Sequence, residues 1–355
     1  MQTKYVKIDP NNVDDENIEG IIREAGQIIK DGGLVAFPTE TVYGLGGDGL
    51  NASSSNKIYA AKGRPSDNPL IIHISKWDDI IPIVSEIPDI AKQLADAFWP
   101  GPLTMILKKS DKVPYETTGG LDTVAIRMPD HKVAQVFIEA AGGYVAAPSA
   151  NTSGRPSPTI GEHVKEDVDG RIEMIIDGGA VGIGVESTIV DLTSNVPMIL
   201  RPGYITKEML ERVLGQVDTD RTILDNNSGV KPKAPGMKYR HYAPKGAMTI
   251  VEGDTQFVVD YINERVKEDE AQGKKTGALC TNQTIDKINA KVKKNAGNRE
   301  DEHEIAHNLY RILREFDQDG VDTIYSESFS KDGFGQAVMN RLLKAAGFTV
   351  IREKQ

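Results

Sequence analysis

Short apolar runs with the composition of β-strands constrain the fold more than any other feature of this sequence. A helical repeat of Ile and Ala over residues 18–29 stops at Gly32 and Gly33, and a strand follows at once over 34–37. Helical patterns separate only some of the seven strand-like runs that come next, at 69–74, 103–107, 123–128, 144–147, 172–176, 188–192 and 198–201. This irregular order predicts an α/β domain with a twisted mixed sheet rather than a strict βαβ repeat.

The pattern changes after Gly215. Residues 216–245 lose all periodicity and are rich in Gly, Pro and Asn, which predicts a long connection. Within it, residues 229–245 hold five basic residues and no acidic one, although the whole chain has a net charge of -10. We expect this linker to act as a lid, and a solvated tether is the alternative. The predicted domains are therefore 10–215 and 246–355, joined by the linker 216–245.

The C-terminal part alternates strand-like and helical segments. MTIVEG, GALCT and VDTIYSES are the strand-like runs, and helical patterns cover 257–266, 303–316 and 336–345. This alternation resembles a small doubly wound, Rossmann-like domain. The segment has no GxGxxG motif and no P-loop, so we interpret it as an accessory domain.

Composition excludes several classes of protein. No run of eighteen apolar residues occurs and the N-terminus has no apolar signal segment, so we expect a cytoplasmic protein without a membrane span. Cys280 is the single cysteine, which excludes an internal disulfide and a thiolate zinc cluster, and it is expected to be a small buried side chain. The acidic balance argues against a broad nucleic-acid-binding face, because phosphate contacts need clustered Lys and Arg.

Polar groups in two segments are candidates for a ligand site. FPTETVYGLG, residues 37–46, runs from an apolar strand into a loop of hydroxyls, a carboxylate and glycines that could contact a small polar ligand; a turn whose Thr and Gly satisfy the local backbone is the alternative. AAKGRPSDNPLIIHI places Lys62 and Arg64 around a glycine where a helix ends, so both cations can reach one anion, and Asn68 and His73 follow. Helix capping by the basic residues and a core role for His73 are the alternatives.

Two further segments add hydroxyl, amide and guanidinium groups. YVAAPSANTSGRPSPT places Ser149 and Asn151 two residues apart, where an extended backbone would point both in one direction; a surface turn is the alternative. Arg127, Ser187 and Arg201 lie in or beside apolar strands. An arginine in a strand that faces a core needs an anionic partner.

Together these segments resemble the threonylcarbamoyl-AMP synthase family, the YrdC-like proteins, in its long form with a C-terminal accessory domain. PTETVYGLG, KGR with NPL and H, PSAN, EST and RPG occur in the family's order across residues 15–215, and RHYAP lies in the linker. The family's KxR and SxN signature is matched by Lys62, Arg64, Ser149 and Asn151.

The resemblance implies a role for each matching residue. Positions that hold L-threonine are matched by Thr41, His73, Arg127, Ala147 and Ser187. Positions that hold ATP are matched by Arg64, Asn68, Thr123, Ser149, Asn151, Ser157, Arg201 and His241. Lys62 and Arg64 are the expected catalytic residues, which would border a bicarbonate pocket, and the linker would close over the nucleotide.

The resemblance also implies the activity, a nucleotidyltransferase that condenses L-threonine, bicarbonate and ATP into threonylcarbamoyl-AMP for a tRNA modification. Mg²⁺ is expected with the ATP, without named protein ligands. The expected partners are the small substrates and a downstream tRNA-modifying transferase complex, without stable nucleic-acid binding and without a membrane. Two alternatives are a double-stranded RNA-binding module, which the acidic balance disfavours, and a carbamoyl-transfer maturation factor, which the lack of cysteine clusters disfavours.

Overall fold

The computed structural model describes residues 2–220, 223 and 241–353. Contacts between residues divide them into two compact units. The first contains the described residues up to Ser153 and from Ser157 to Ile223; the second contains Gly154–Pro156 and the described residues from His241 onward. Most of the predicted linker, including the basic run after residue 229 up to Arg240, lies outside the described residues.

The first unit is built on a sheet that contains eleven described strands. The order across it is β1-β8-β2-β3-β7-β4-β6-β5-β9-β10-β11. Neighbouring strands are parallel in some pairs and antiparallel in others, which confirms the predicted mixed sheet. The strands are β1 (Lys4–Lys7), β2 (Val35–Phe37), β3 (Gly44–Asp48), β4 (Ile71–His73), β5 (Leu103–Lys108), β6 (Thr123–Arg127), β7 (Val145–Ala147), β8 (Met174–Asp177), β9 (Thr188–Asp191), β10 (Met198–Arg201) and β11 (Asp218–Thr219).

Helices pack on both faces of this sheet. Side chains that alternate along each strand form separate apolar clusters, with Ile72 and Ile126 on one face and Val35 and Phe37 on the other. The first cluster includes residues of α2, α3, α6 and α7, and the second includes residues of α1 and α5. The helices are α1 (Glu16–Lys30), α2 (Ala52–Lys62), α3 (Asp89–Phe98), α4 (Tyr115–Thr118), α5 (Lys132–Ala140), α6 (Gly161–Val168) and α7 (Lys207–Leu214), with a 3-10 helix at Trp77–Ile83.

One part of the second face has an apolar cluster whose described members all belong to strands. We call it the apolar floor: Ile71, Ile106, Ala125, Ile189 and Leu200, with Met198 packed against it. These residues come from β4, β5, β6, β9 and β10. Among the described residues, no helical side chain belongs to the apolar floor, and all five of its members are buried.

The sequence interpretation predicted no strand at residues 44–48 and placed the first three of them in a loop. Residues 44–48 form β3, which pairs antiparallel with β2 and with β7. Glycine is required here because a Cβ on Gly46 would lie 2.7 Å from Val145 Cγ1. Close packing against β7 therefore explains a composition that otherwise suggests a turn.

The second unit has a sheet in which the five described strands are all parallel, in the order β14-β13-β15-β12-β16. This confirms the predicted doubly wound type. Cys280 is fully buried, as expected. The strands are β12 (Ala247–Glu252), β13 (Thr276–Cys280), β14 (Val292–Asn295), β15 (Thr323–Glu327) and β16 (Val350–Arg352), and the helices are α8 (Thr255–Ala271), α9 (Glu302–Gln318) and α10 (Gly335–Ala345).

The three helices of this unit were predicted, although α8 begins earlier and ends later than the periodic segment at 257–266. Asp254 caps its first turn by accepting from Phe257 N, a signal that lies outside the apolar repeat. Within the described residues, none of the helices is long and apolar enough to cross a membrane.

Candidate active site

A row of polar side chains lies on or next to five neighbouring strands beside the apolar floor. His73, Arg127 and Thr104 are paired partners on β4, β6 and β5, and each lies two residues from a member of the floor, so all three point to the floor's face. The Thr104 hydroxyl is 2.8 Å from Ser187 Oγ, which also accepts a hydrogen bond from Arg201 Nη2 at 3.0 Å. We call these five residues the polar row.

Arg127 lies near one end of this row, between His73 and Thr104. It is almost fully buried; its Nη1 donates to Thr41 Oγ1 at 2.8 Å, and its Nη2 lies 2.7 Å from Glu40 Oε1. The strand arginine therefore has the anionic partner that its burial requires. Because Thr41 and Glu40 belong to the PTETVYGLG segment, this ion pair ties that segment to β6.

His73 is buried at the end of β4, and its ring meets Phe37 edge to face, with 5.8 Å between centroids. Burial, with the charges of Arg127 and Arg201, lowers the pKa of His73 to about 3. The imidazole is therefore neutral at physiological pH. It can offer one donor and one acceptor to a ligand or to the backbone, and Nδ1 lies 3.1 Å from the Ile71 carbonyl oxygen.

This low pKa predicts a pH dependence of stability. Below about pH 6.5 the unfolded chain binds a proton at His73 that the folded chain does not bind, so the free energy of unfolding falls as pH falls from 6.5 toward 3. When the pH is lowered from 7.5 to 5, we expect the free energy of unfolding to fall by about 2 kcal/mol more in the wild type than in His73→Gln. Urea unfolding followed by the fluorescence of Trp77 and Trp99, both in the first unit, measures this. Equal losses in the two proteins would contradict the prediction.

The KxR and SxN segments meet at Lys62. Gly63 ends α2 in the left-handed conformation, with φ 63°, and leaves Lys62 as the last helical residue. The Lys62 ammonium is buried and donates to the carbonyl oxygens of Ser149 and Asn151, with Asn151 Oδ1 at 3.5 Å. Ser149 Oγ in turn donates to Asn151 Oδ1 at 2.5 Å. Lys62 therefore holds the SxN loop in place.

Backbone hydrogen bonds join the other predicted loops. Leu45 N donates to Pro148 O at 2.9 Å, Ala150 N to Tyr43 O at 2.8 Å, and Tyr43 N to Pro158 O at 3.0 Å. The PTETVYGLG segment is thus bonded both to the SxN loop and to the residues that follow Ser157. Ser157 Oγ donates to Glu186 Oε1 at 2.5 Å, which adds the EST segment.

The remaining predicted residues lie at several places. Arg64 donates through Nε to Asn68 O at 3.2 Å and through Nη2 to Pro69 O at 3.1 Å, so backbone carbonyls orient its guanidinium. Asn68 is buried, and its Oδ1 has no hydrogen-bond partner among the described residues. Thr123 and Ala147 lie on the floor's face, on β6 and β7. His241 belongs to the second unit, where its ring lies 5.6 Å from that of Tyr242.

Sequence reasoning did not single out three polar residues that complete these contacts. Thr104 is one hydroxyl in an otherwise apolar strand, and only its pairing with Arg127 reveals it. Glu40 and Glu186 were part of quoted motifs without a role of their own. Their partners, the Arg127 guanidinium and the Ser157 hydroxyl, lie far from them in the sequence and meet them only in the fold.

Comparison with family models matches both units. Residues 27–203 match the model described as "Telomere recombination", and residues 205–347 match the one described as "Threonylcarbamoyl-AMP synthase, C-terminal domain".

Relatives that match over most of the chain are named threonylcarbamoyl-AMP synthase. The chain is 47% identical over 332 residues to a threonylcarbamoyl-AMP synthase of Bacillus subtilis, covering 93% of this chain and 94% of that one. It is 47% identical over 341 residues to the Pyrococcus abyssi protein of the same name, covering 96% and 98%. The crystal structure of P. abyssi Sua5 complexed with L-threonine superposes with a TM-score of 0.92 at 44% identity, over the full length of both chains.

Proposed function

The chain belongs to the threonylcarbamoyl-AMP synthase family and is therefore a nucleotidyltransferase, and we propose that it condenses L-threonine, bicarbonate and ATP. The products are threonylcarbamoyl-AMP, pyrophosphate and water. The observation that carries this proposal is the polar row beside the apolar floor, where two arginines and two hydroxyls share one face of a sheet.

L-Threonine would bind at the Arg127 end of the row. A guanidinium fork suits a carboxylate, and Thr41, His73, Ala147 and Ser187 lie on the loops and strands around it. The likeness to a structure complexed with L-threonine supports threonine as the ligand. A neutral His73 suits such a pocket because it adds no second positive charge next to Arg127.

ATP would bind across the apolar floor and the loops around it. A flat purine gains from burial against aliphatic side chains, while the phosphates need cations, hydroxyls and amides. Arg201 and Arg64 supply charge, and Ser149, Asn151 and Ser157 supply hydroxyl and amide groups on loops that are bonded to one another. Asn68 and Thr123 complete the proposed ATP set within the first unit, and the role of His241, in the second unit, stays a prediction.

The reaction brings two anions together. The threonine amine takes up bicarbonate as a carbamate with loss of water, and a carbamate oxygen then forms a bond to the α-phosphorus while the bond to pyrophosphate breaks. Repulsion between carbamate and triphosphate must be neutralised, which cations fixed in advance do without reorganisation during the reaction. Lys62 and Arg64 would border the bicarbonate pocket, Lys62 through its charge and through its hold on the SxN loop.

Mg²⁺ would enter with the nucleotide. The described residues contain no group of three His, Cys, Asp or Glu side chains that could hold a metal ion. Nucleotide-bound Mg²⁺ needs few protein ligands because phosphate oxygens and water fill most of its coordination sphere. We propose that mode of binding here, in which the ion supplies charge neutralisation to the triphosphate.

The adenylate is an activated acyl group, so a second enzyme must consume it. We propose that this chain supplies threonylcarbamoyl-AMP to a tRNA-modifying transferase complex, without holding tRNA itself, in keeping with its net charge of -10.

Incubation of the purified chain with labelled threonine, bicarbonate and MgATP tests the function. We expect threonylcarbamoyl-AMP and pyrophosphate in equal amounts, each dependent on both threonine and bicarbonate. Pyrophosphate release that ignores threonine would overturn the proposal. Tight, salt-sensitive binding of double-stranded RNA without turnover would favour the RNA-binding alternative instead.

Substitution of Arg64 tests the proposed charge neutralisation more sharply. Two backbone carbonyls orient its planar guanidinium, and a lysine ammonium cannot reproduce that geometry. We expect Arg64→Lys to keep the fold and lower turnover about 100-fold, as when one oriented donor is lost. Arg171→Lys is the matched control, since Arg171 is exposed and also donates to a backbone carbonyl, that of Ala61. Unchanged turnover in Arg64→Lys would remove this residue from the mechanism.

A further inference from the structure

Glu40 has a largely buried carboxylate, and the proposed reaction gives it no role. Its side chain is 13% exposed, and its Oε1 lies 2.7 Å from Nη2 of Arg127, which is 4% exposed. The contact lacks hydrogen-bond geometry, and neither carboxylate oxygen has a hydrogen-bond partner among the described residues. A buried carboxylate with unused acceptor capacity can accept more donors than Arg127 supplies.

The two side chains form a neutral pair, and this restricts what can bind to either one. Separating a buried ion pair is costly if one charge is left without a partner. A ligand carboxylate that takes the Arg127 guanidinium must therefore come with a cation for Glu40. An α-amino acid does so, because its ammonium and carboxylate are attached to the same carbon.

Hydrogen bonds hold the backbone around Glu40 in place. The carboxylate can therefore exchange Arg127 for a ligand ammonium by side-chain movement alone. The Glu40 carbonyl accepts from Ile183 N at 2.8 Å, and the next carbonyl, that of Thr41, accepts from Gly184 N at 3.1 Å. Thr39 Oγ1 donates to Val42 O at 2.7 Å across the same bend. The carboxylate can turn about its own torsions while remaining close to Arg127.

We propose that Glu40 binds the ammonium group of the amino-acid substrate and, together with Arg127, selects ligands that carry both charges. The inference rests on the proposed function, in which Arg127 takes the threonine carboxylate. After binding, each of the four charges has an opposite partner: the guanidinium with the substrate carboxylate, and Glu40 with the substrate ammonium. The pair thus also fixes the position of the nitrogen, which forms the carbamate after the ammonium has released a proton to solvent.

The experiment compares two ligands that differ only in this nitrogen. 3-Hydroxybutanoate is threonine without its amino group, so it would take Arg127 and leave Glu40 without a cation. We expect the wild type to prefer L-threonine by at least about 100-fold in Kd, measured by ligand-observed NMR with the full chain. In Glu40→Gln, which has no charge to compensate, we expect the preference to fall below about tenfold, and Glu40→Asp should restore most of it.

Other outcomes overturn the inference. If Glu40 served only to support the fold, Glu40→Gln would weaken both ligands equally; if it only blocked Arg127, both would bind more tightly. In either case the preference would be unchanged. Glu86→Gln is the matched control, since that carboxylate is 66% exposed and pairs with Lys108 on the surface. A wild type that does not bind threonine would instead overturn the proposed function, and the role of Glu40 with it.

Discussion

Replacement of Arg127 with glutamine is expected to lower threonine-dependent pyrophosphate release about 1,000-fold, the upper range for loss of one oriented charged donor. The reason is twofold. The substrate carboxylate loses its guanidinium, and Glu40, only 13% exposed, loses the cation that compensates its charge. Initial rates at varied threonine and saturating ATP measure the effect, which should fall mainly on kcat/KM for threonine.

The free energy of unfolding of the variants distinguishes these two causes. Leaving Glu40 without Arg127 should cost about 3–5 kcal/mol of unfolding free energy, as breaking a buried ion pair does. The double variant Arg127→Gln with Glu40→Gln removes both charges, so it should recover most of that stability and none of the activity. Urea unfolding followed by Trp fluorescence measures the first quantity. Wild-type threonine dependence in Arg127→Gln would remove Arg127 from the substrate site.

The second large effect is expected at Lys62. Lys62→Met removes a buried ammonium that donates to the carbonyl oxygens of Ser149 and Asn151, and it leaves both oxygens without that donor. We expect turnover to fall by about 100-fold or more, because the loop that carries Ser149 and Asn151 loses its anchor and the site loses a positive charge. KM for ATP should rise more than KM for threonine, since these two residues belong to the proposed ATP set.

A neighbour on the same helix provides the control for Lys62. Lys57 also donates to a backbone carbonyl, Gly32 O at 2.6 Å, but its partner lies outside the predicted site segments. Lys57→Met should therefore affect stability without changing KM for ATP. Equal effects of the two substitutions on KM for ATP would show that Lys62 acts only as a structural residue.

Much of the first unit was predictable because its elements have strong local signals. The helix at Glu16–Lys30 and the strand at Val35–Phe37 agree closely with the predicted segments, since an apolar repeat and a glycine stop are local properties. β3 was missed for the opposite reason. Its glycines are needed for contact with β7, a strand about a hundred residues away in the sequence.

The site was predictable in its parts and not in its arrangement. Lys62, Ser149 and Asn151 were singled out as groups that could face an anion, and the structure places the Lys62 ammonium on the loop that carries the other two. Thr104 and Glu40 were not singled out, because neither has a distinctive sequence context. Their importance lies in the partners that strand pairing and loop packing bring to them.

By itself the sequence determined the mixed α/β class, the change of character after Gly215, the resemblance to a family, and the chemical types of the groups available, since these depend on composition, local periodicity and motif order. Only the tertiary structure decided which groups meet. The register of β4, β6 and β5 sets His73, Arg127 and Thr104 side by side, and a shift of one residue would turn a strand's side chains to the other face. The pairing of Glu40 with Arg127 depends on long-range contacts in the same way, because a buried charge takes its partner from whatever the fold brings within reach.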